Sequence, residues 1–201
     1  MLGLLRRLGI RDEHVLAAMA RVPREEFVRV EDRDVAYGDH ALPIGEGQTI
    51  SQPYVVARMT ELLDVRPTHR VLEVGTGSGY QAAVLGELAS GVVTVERHAS
   101  LADDARERLL RLGYRNVRVI AADASLGYPG DAPYDRIIVT AAAPSIDPTL
   151  AAQLTRDGRI VAPVGDEEMQ LLTVHHADGR EDERHGTVSF VPLRGRAGFR
   201  Q

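Results

Sequence analysis

The chain has 201 residues, 44% of them apolar and 26% charged, with a formal net charge of −5, which is the make-up of a globular protein and offers no basic footprint for nucleic acid. All 24 basic residues are Arg and cysteine is absent, so lysine Schiff-base chemistry, thiolate nucleophiles, disulfides and cysteine-type zinc sites are excluded. The length suits a single α/β core, and one domain is expected over 1–201.

The opening MLGLLRRLGI places Arg6 and Arg7 inside its apolar run. Neither a secretory leader nor a membrane span is expected there, and the protein is expected in the cytoplasm. Helical spacing of Leu4, Leu5 and Leu8, then of Val15, Leu16 and Met19, predicts two short helices separated at Gly9. VPREEFV predicts a further helix entry, because Pro23 suits a first turn and Glu25 and Glu26 complement its positive end. Residues 31 to 47 carry turn chemistry without a clear period and are expected as a loop of functional length. The stretch GQTISQP (47 to 53) is wholly uncharged, with hydroxyls and carboxamides around one isoleucine. A helix follows over 53 to 65, ended by Arg66-Pro67.

RVLEVGTGSGY then reads as strand, glycine turn and helix, with AAVLGELAS as the helix. VVTVE (92 to 96), NVRVIAAD (116 to 123) and YDRIIVTAA (134 to 142) predict strands, with an amphipathic helix over about 99 to 112. LAAQL predicts one more helix, and GRIVAPVG, QLLTVHH and TVSFVPL two or three strands. Such β–α alternation implies a parallel sheet covered by helices on both faces.

EVGTGSGY (73 to 80) lets backbone approach a ligand and aims a helix N-terminus at it. Tyr80 stands where the dinucleotide fingerprint has its last glycine, and a carboxylate at Glu73 suits an ammonium or sulfonium better than a pyrophosphate, so a nicotinamide dehydrogenase is disfavoured. Glu96, at the end of the next strand, can hold both ribose hydroxyls. Asp123, at the end of the third, can accept the amino group of an adenine. Together they outline S-adenosylmethionine. The seven histidines show no metal-binding spacing, and no metal is expected. Ser51 lacks the G-x-S-x-G surroundings of a serine nucleophile.

VPREEFV, ALPIGEGQTISQPYVVARMTELL, VLEVGTGSGYQAAVL, VER, APYDRIIVTAAAP and the closing GRIVAPVG closely resemble the protein-L-isoaspartate O-methyltransferase family, from about residue 10 to residue 193. The resemblance implies a class I methyltransferase fold, an α/β Rossmann-like doubly wound and mostly parallel sheet of about seven strands with an N-terminal helical extension. It divides the chain into N-terminal helices and substrate loop (1–65), cofactor-binding core (66–145) and C-terminal strands (146–201). It implies a monomeric protein-repair enzyme that methylates isoaspartyl residues of damaged proteins and peptides with S-adenosylmethionine, leaving S-adenosylhomocysteine. Carried over, Ser51 becomes the active-site hydroxyl, with Thr49 and Ile50 beside the substrate. Gln52, Pro53, Tyr54 and Val55 would flank the cofactor, with Glu73, Gly75, Thr76, Gly77, Gly79, Glu96, Arg97, Asp123 and Ala124. Where the family usually has Gly-Asp-Gly, this chain has Ala122-Asp123-Ala124. Within the family, a relative that methylates normal aspartate in a dedicated precursor is an alternative, as is a cofactor-binding regulator outside catalysis.

Overall fold

Asp12 starts the second helix of the N-terminal region by accepting from the backbone N–H groups of His14 and Val15, 2.8 and 3.3 Å away, as a capping aspartate does. Helices α1 (Leu2–Arg7) and α2 (Glu13–Arg21) lie on either side of that cap. The computed structural model describes residues 1–199; positions 200 and 201, the last two of the expected C-terminal segment, lie outside the described residues. The helix entry expected at VPREEFV is a short 3₁₀ helix, Arg24–Phe27, followed by another at Val30–Val35. The expected loop of 31 to 47 therefore has structure of its own. It ends in a hairpin of β1 (Leu42–Gly45) and β2 (Gln48–Ile50), turned by Glu46 and Gly47 with φ of 50° and 67°. Strands this short carry too few residues to show a period-2 pattern. Helix α3 (Pro53–Leu63) starts with proline in its first turn and stops at Asp64, which is left-handed with φ 50°.

Val71, Leu72 and Val74 form β3 (Arg70–Val74), and all three are fully buried, as a strand covered on both faces requires. After it come α4 (Tyr80–Gly86), β4 (Gly91–Glu96), α5 (Ala99–Arg111), β5 (Val117–Ala121), β6 (Tyr134–Val139), α6 (Pro148–Ala151), β7 (Leu154–Gly165), β8 (Gln170–His176) and β9 (Glu183–Val188). The seven-stranded sheet runs β5-β4-β3-β6-β7-β8-β9, parallel from β5 to β7 and antiparallel through β8 and β9. Side chains alternate across it. Val71, Ile138, Val161 and Val174 pack with α2, α3 and α4, whereas Leu72, Val74, Ile137 and Val139 pack on the other face.

Several elements are shorter than the sequence pattern predicts. Helix α4 stops at Gly86 because the Asn116 amide donates to the Gly86 carbonyl (2.8 Å) and a side chain at Gly86 would run into Val117. Strand β5 ends before Asp123, whose carboxylate instead accepts from Ser125 N–H at 3.0 Å and turns the chain. The last predicted strand starts earlier than TVSFVPL, and residues 190 to 194 leave it to hydrogen-bond to Ala142, with Ala142 N–H donating to Val191 O (2.8 Å) and Leu193 N–H to Ala142 O (2.7 Å).

Arg136 ties α3 to the sheet. It is 5% exposed, and its Nε donates to the carbonyls of Leu63 (2.7 Å) and Asp64 (3.1 Å) at the end of that helix. Arg136→Leu leaves these carbonyls without their buried donor and lowers unfolding free energy by about 2–4 kcal/mol; a urea midpoint unchanged from that of the parent chain would show that the tie adds nothing.

Candidate active site

The chain leaves β3 on one side to make β4 and returns on its other side as β6. Helices cannot fill the crevice that opens at the carboxyl ends of strands where winding reverses in this way. Here it holds a cavity of about 420 Å³.

The first wall is the turn after β3. Gly75, Gly77 and Gly79 have φ of 98°, 51° and 87°, a hand that L side chains avoid. Packing asks for glycine at Gly75 as well, since a Cβ there would stand 2.5 Å from the Thr140 hydroxyl. Gly75, Thr76 and Gly77 face the cavity, while Gly79 starts α4 against α5 and lies outside the lining.

Two carboxylates stand beside this turn. Glu73 is 0% exposed and lines the cavity; its Oε2 accepts from the Thr94 hydroxyl at 2.5 Å, while its buried Oε1 has no hydrogen-bond partner. The Thr76 hydroxyl lies 2.6 Å from that of Thr94, and since Thr94 gives its proton to Glu73, Thr76 donates to Thr94. Burial pushes the Glu73 carboxyl up to about 8, against the Thr94 hydrogen bond and helped by the nearby charge of Glu96. Glu96 accepts from Gly77 N–H at 2.9 Å through one oxygen and from His98 N–H at 3.0 Å through the other. Each oxygen keeps further acceptor capacity. An unpartnered buried acceptor and a second acid 6% exposed make this wall a receptor for donors and positive charge, and they fit the ammonium and ribose hydroxyls of an adenosyl amino acid.

Another stretch of the lining is uncharged. Gly47, Gln48, Thr49, Ile50 and Ser51 form it, with Val56 and Met59 of α3 and the Tyr80 ring supplying apolar surface. Gln52, Pro53, Tyr54 and Val55 fall outside the lining. Asp39 accounts for this: it accepts from Tyr54 N–H at 2.8 Å and from the Gln52 amide at 3.4 Å, and so draws the start of α3 away from the cavity. Arg24, fully buried, donates from Nε to Ala36 O and from Nη2 to Ser51 O, both at 2.7 Å. The rim is completed by Arg97, by Ala124, which is buried, and by residues 190 to 194. Asp123 lies outside the lining, since its oxygens take Ser125 N–H and, at 3.3 Å, Arg196 N–H.

Sequence reading missed Thr94, Thr140, Arg24, Asp39 and the 190 to 194 segment. For Thr94 a signal existed, a lone hydroxyl within VVTVE. Thr140 donates to the Gly75 carbonyl at 2.5 Å, a long-range contact that no local pattern announces. Among the described residues no cluster of three His, Cys, Asp or Glu is placed to hold a metal ion.

The sequence profile of the protein-L-isoaspartate(D-aspartate) O-methyltransferase family matches residues 1–198. This chain belongs to that family. The protein-L-isoaspartate O-methyltransferase of Methanoculleus marisnigri is 55% identical over 197 residues, which are 97% of this chain and 90% of that protein. A solved protein-L-isoaspartate O-methyltransferase superposes with a TM-score of 0.89 at 28% identity, over 98% of this chain and 66% of that one. A Plasmodium falciparum protein assigned to the same enzyme class, solved in complex with S-adenosyl-L-homocysteine, gives 0.82 at 25% identity over 96% of both chains. The fold is that of the class I methyltransferases, with the mostly parallel seven-stranded sheet expected from the sequence.

Because burial raises the Glu73 carboxyl to about 8, the folded state holds a proton that the unfolded chain releases near its ordinary, lower value. Stability contributed by this group is therefore full at low pH and falls as pH climbs toward 8. Glu73→Gln removes that dependence, so the variant gains about 2–4 kcal/mol on the parent between pH 5 and pH 8 in urea titrations; parallel curves would place the raised titration elsewhere.

Proposed function

We propose that this chain transfers the methyl group of S-adenosylmethionine to the free α-carboxylate of L-isoaspartyl residues in damaged proteins and peptides. The observation that carries the reading is that one cavity is lined both by the buried acids Glu73 and Glu96 and by the uncharged stretch Gly47 to Ser51. S-adenosylmethionine supplies an electrophilic methyl on a sulfonium sulfur. Glu96 would hold its ribose hydroxyls, Glu73 its ammonium and the Gly75 to Gly77 backbone its amino-acid arm, with Ala124 against the adenine and Arg97 at the rim. Asp123, drawn to Ser125 and Arg196, would act on the adenine only indirectly, by shaping the turn that presents Ala124. Gln52 to Val55 would serve by starting α3 behind the site.

The substrate is its own nucleophile. A carboxylate with an ordinary pKa near 4 is ionised at pH 7, so no general base is needed. An arginine in contact with the attacking oxygen would stabilise it before reaction and slow transfer. Hydroxyls and main-chain N–H groups orient it while leaving it reactive, which is the role given to Ser51 and Thr49 with Ile50 beside them. Transfer joins an anion to a cation, and a cavity that keeps water away and aligns oxygen, carbon and sulfur favours it. The neighbouring backbone amide nitrogen then attacks the ester carbonyl without further catalysis, losing its proton and expelling methanol as the succinimide closes, and addition of water to that ring returns part of the residue to normal aspartate. No helix among the described residues is long and apolar enough to cross a membrane.

A labelled-methyl assay on an isoaspartyl peptide and its aspartyl twin tests the reading. Incorporation is expected into the first, with Ser51→Ala about tenfold or more slower in kcat, while equal labelling of both peptides would point to a different carboxylate and overturn the repair function. Separately, Glu96→Gln is expected to weaken S-adenosylhomocysteine binding about tenfold in calorimetry; undiminished affinity removes Glu96 from the ribose.

A further inference from the structure

A guanidinium enclosed in a protein without a carboxylate in contact is an uncommon arrangement. Arg24 is 0% exposed and directs its fork at two main-chain carbonyls from distant parts of the chain, Ala36 from Nε and Ser51 from Nη2, each at 2.7 Å. Its Nη1 is buried without a hydrogen-bond partner. The guanidinium carbon lies 4.7 Å from the centre of the Tyr80 ring, and Phe27 braces that ring edge-on at 5.5 Å. Tyr80 and Ser51 both line the cavity; Arg24 does not. The positive charge thus stands one layer behind the uncharged wall.

Resting on the methyl transfer proposed above, we infer that Arg24 is a positioning residue for that reaction, acting through the Ser51 main chain on the hydroxyl that orients the substrate carboxylate. A peptide unit is planar, so clamping the Ser51 carbonyl fixes the whole plane between Ser51 and Gln52 and turns the Gln52 N–H away from the guanidinium. Asp39 clamps the other end of the stretch through Tyr54 N–H at 2.8 Å, and Pro53 between the two clamps has its φ locked by its ring. With both ends held, Ser51 keeps one backbone conformation and its hydroxyl one origin. Displacements of this size matter because alignment for in-line transfer is lost over about 1 Å. The charge also favours an anion in the cavity without touching the attacking oxygen, as the chemistry requires.

A staple of this kind also contributes to stability, so the test must separate the two effects. Rates on the isoaspartyl peptide, S-adenosylhomocysteine affinity and thermal midpoints are measured for the parent chain, Arg24→Lys, Ser51→Ala and the double variant, with Arg24→Gln as the second replacement should the lysine chain not fold. If Arg24 acts through Ser51, the folded Arg24 variant keeps cofactor-product affinity within about threefold and loses about tenfold or more in kcat, whereas on the Ser51→Ala background the same change costs less than about threefold. Equal losses on both backgrounds, or full kcat in the folded variant, overturn the inference. Absence of turnover in the parent chain would instead overturn the methyl-transfer reading on which it rests.

Discussion

A carboxylate enclosed in a protein interior is unstable unless protons, donors or a cation come to it. Glu73 is held in that condition near the end of β3, with one oxygen bonded to Thr94 and the other without a partner. Much of the surrounding architecture keeps it so. Strands β4 and β6 on either side of β3 deny it solvent, Thr76 and Thr94 stiffen the single donor it has, and the Gly75 carbonyl is held in place by Thr140. Below about pH 8 a proton relieves this acid, and a positive ligand group would take that proton's place.

The two walls of the cavity solve opposite problems. Beside the glycine turn, charge is concentrated to recognise a cationic partner. At Gly47 to Ser51, charge is withheld because an anionic nucleophile would be trapped by it. The positive group that organises this second stretch, Arg24, stays behind it, while Arg97 and Arg194 line the cavity elsewhere. Arg194 is itself bonded to Glu167 at 2.9 Å, which moderates its pull on anything in the cavity.

Much of this was legible in the sequence because it is written locally. The strand, glycine turn and helix around 71 to 86, and the acids that end β3 and β4, follow from residues within a few positions of one another. The uncharged GQTISQP was also visible, yet where it divides was not. Five of its residues face the cavity and the rest pack behind it because Asp39 and Arg24, remote in sequence, pull on Tyr54, Gln52 and Ser51. Asp123 shows the same limit. Its position after a strand points at a ligand, but carboxylates that follow strands also cap their own turns, and Ser125 and Arg196 decide between the two. Residues 190 to 194 join the site only through Ala142, a pairing across the whole C-terminal half.

The absence of lysine gains a structural meaning here. Arg24 holds Ala36 and Ser51, Arg108 holds the Ser78 carbonyl at 2.9 Å, Arg136 holds Leu63 and Asp64, and Arg159 holds Leu62 at 3.1 Å. In each case a long side chain carries a planar fork to carbonyl groups of a loop or at the end of a helix. An ammonium would lose more hydration on entering such a place and could not present donors in one plane to two acceptors. The guanidinium also stays charged at every working pH. Two of these contacts, at Ser51 and Ser78, fix main chain that lines the cavity, so side chains that never face the ligand set the geometry of those that do.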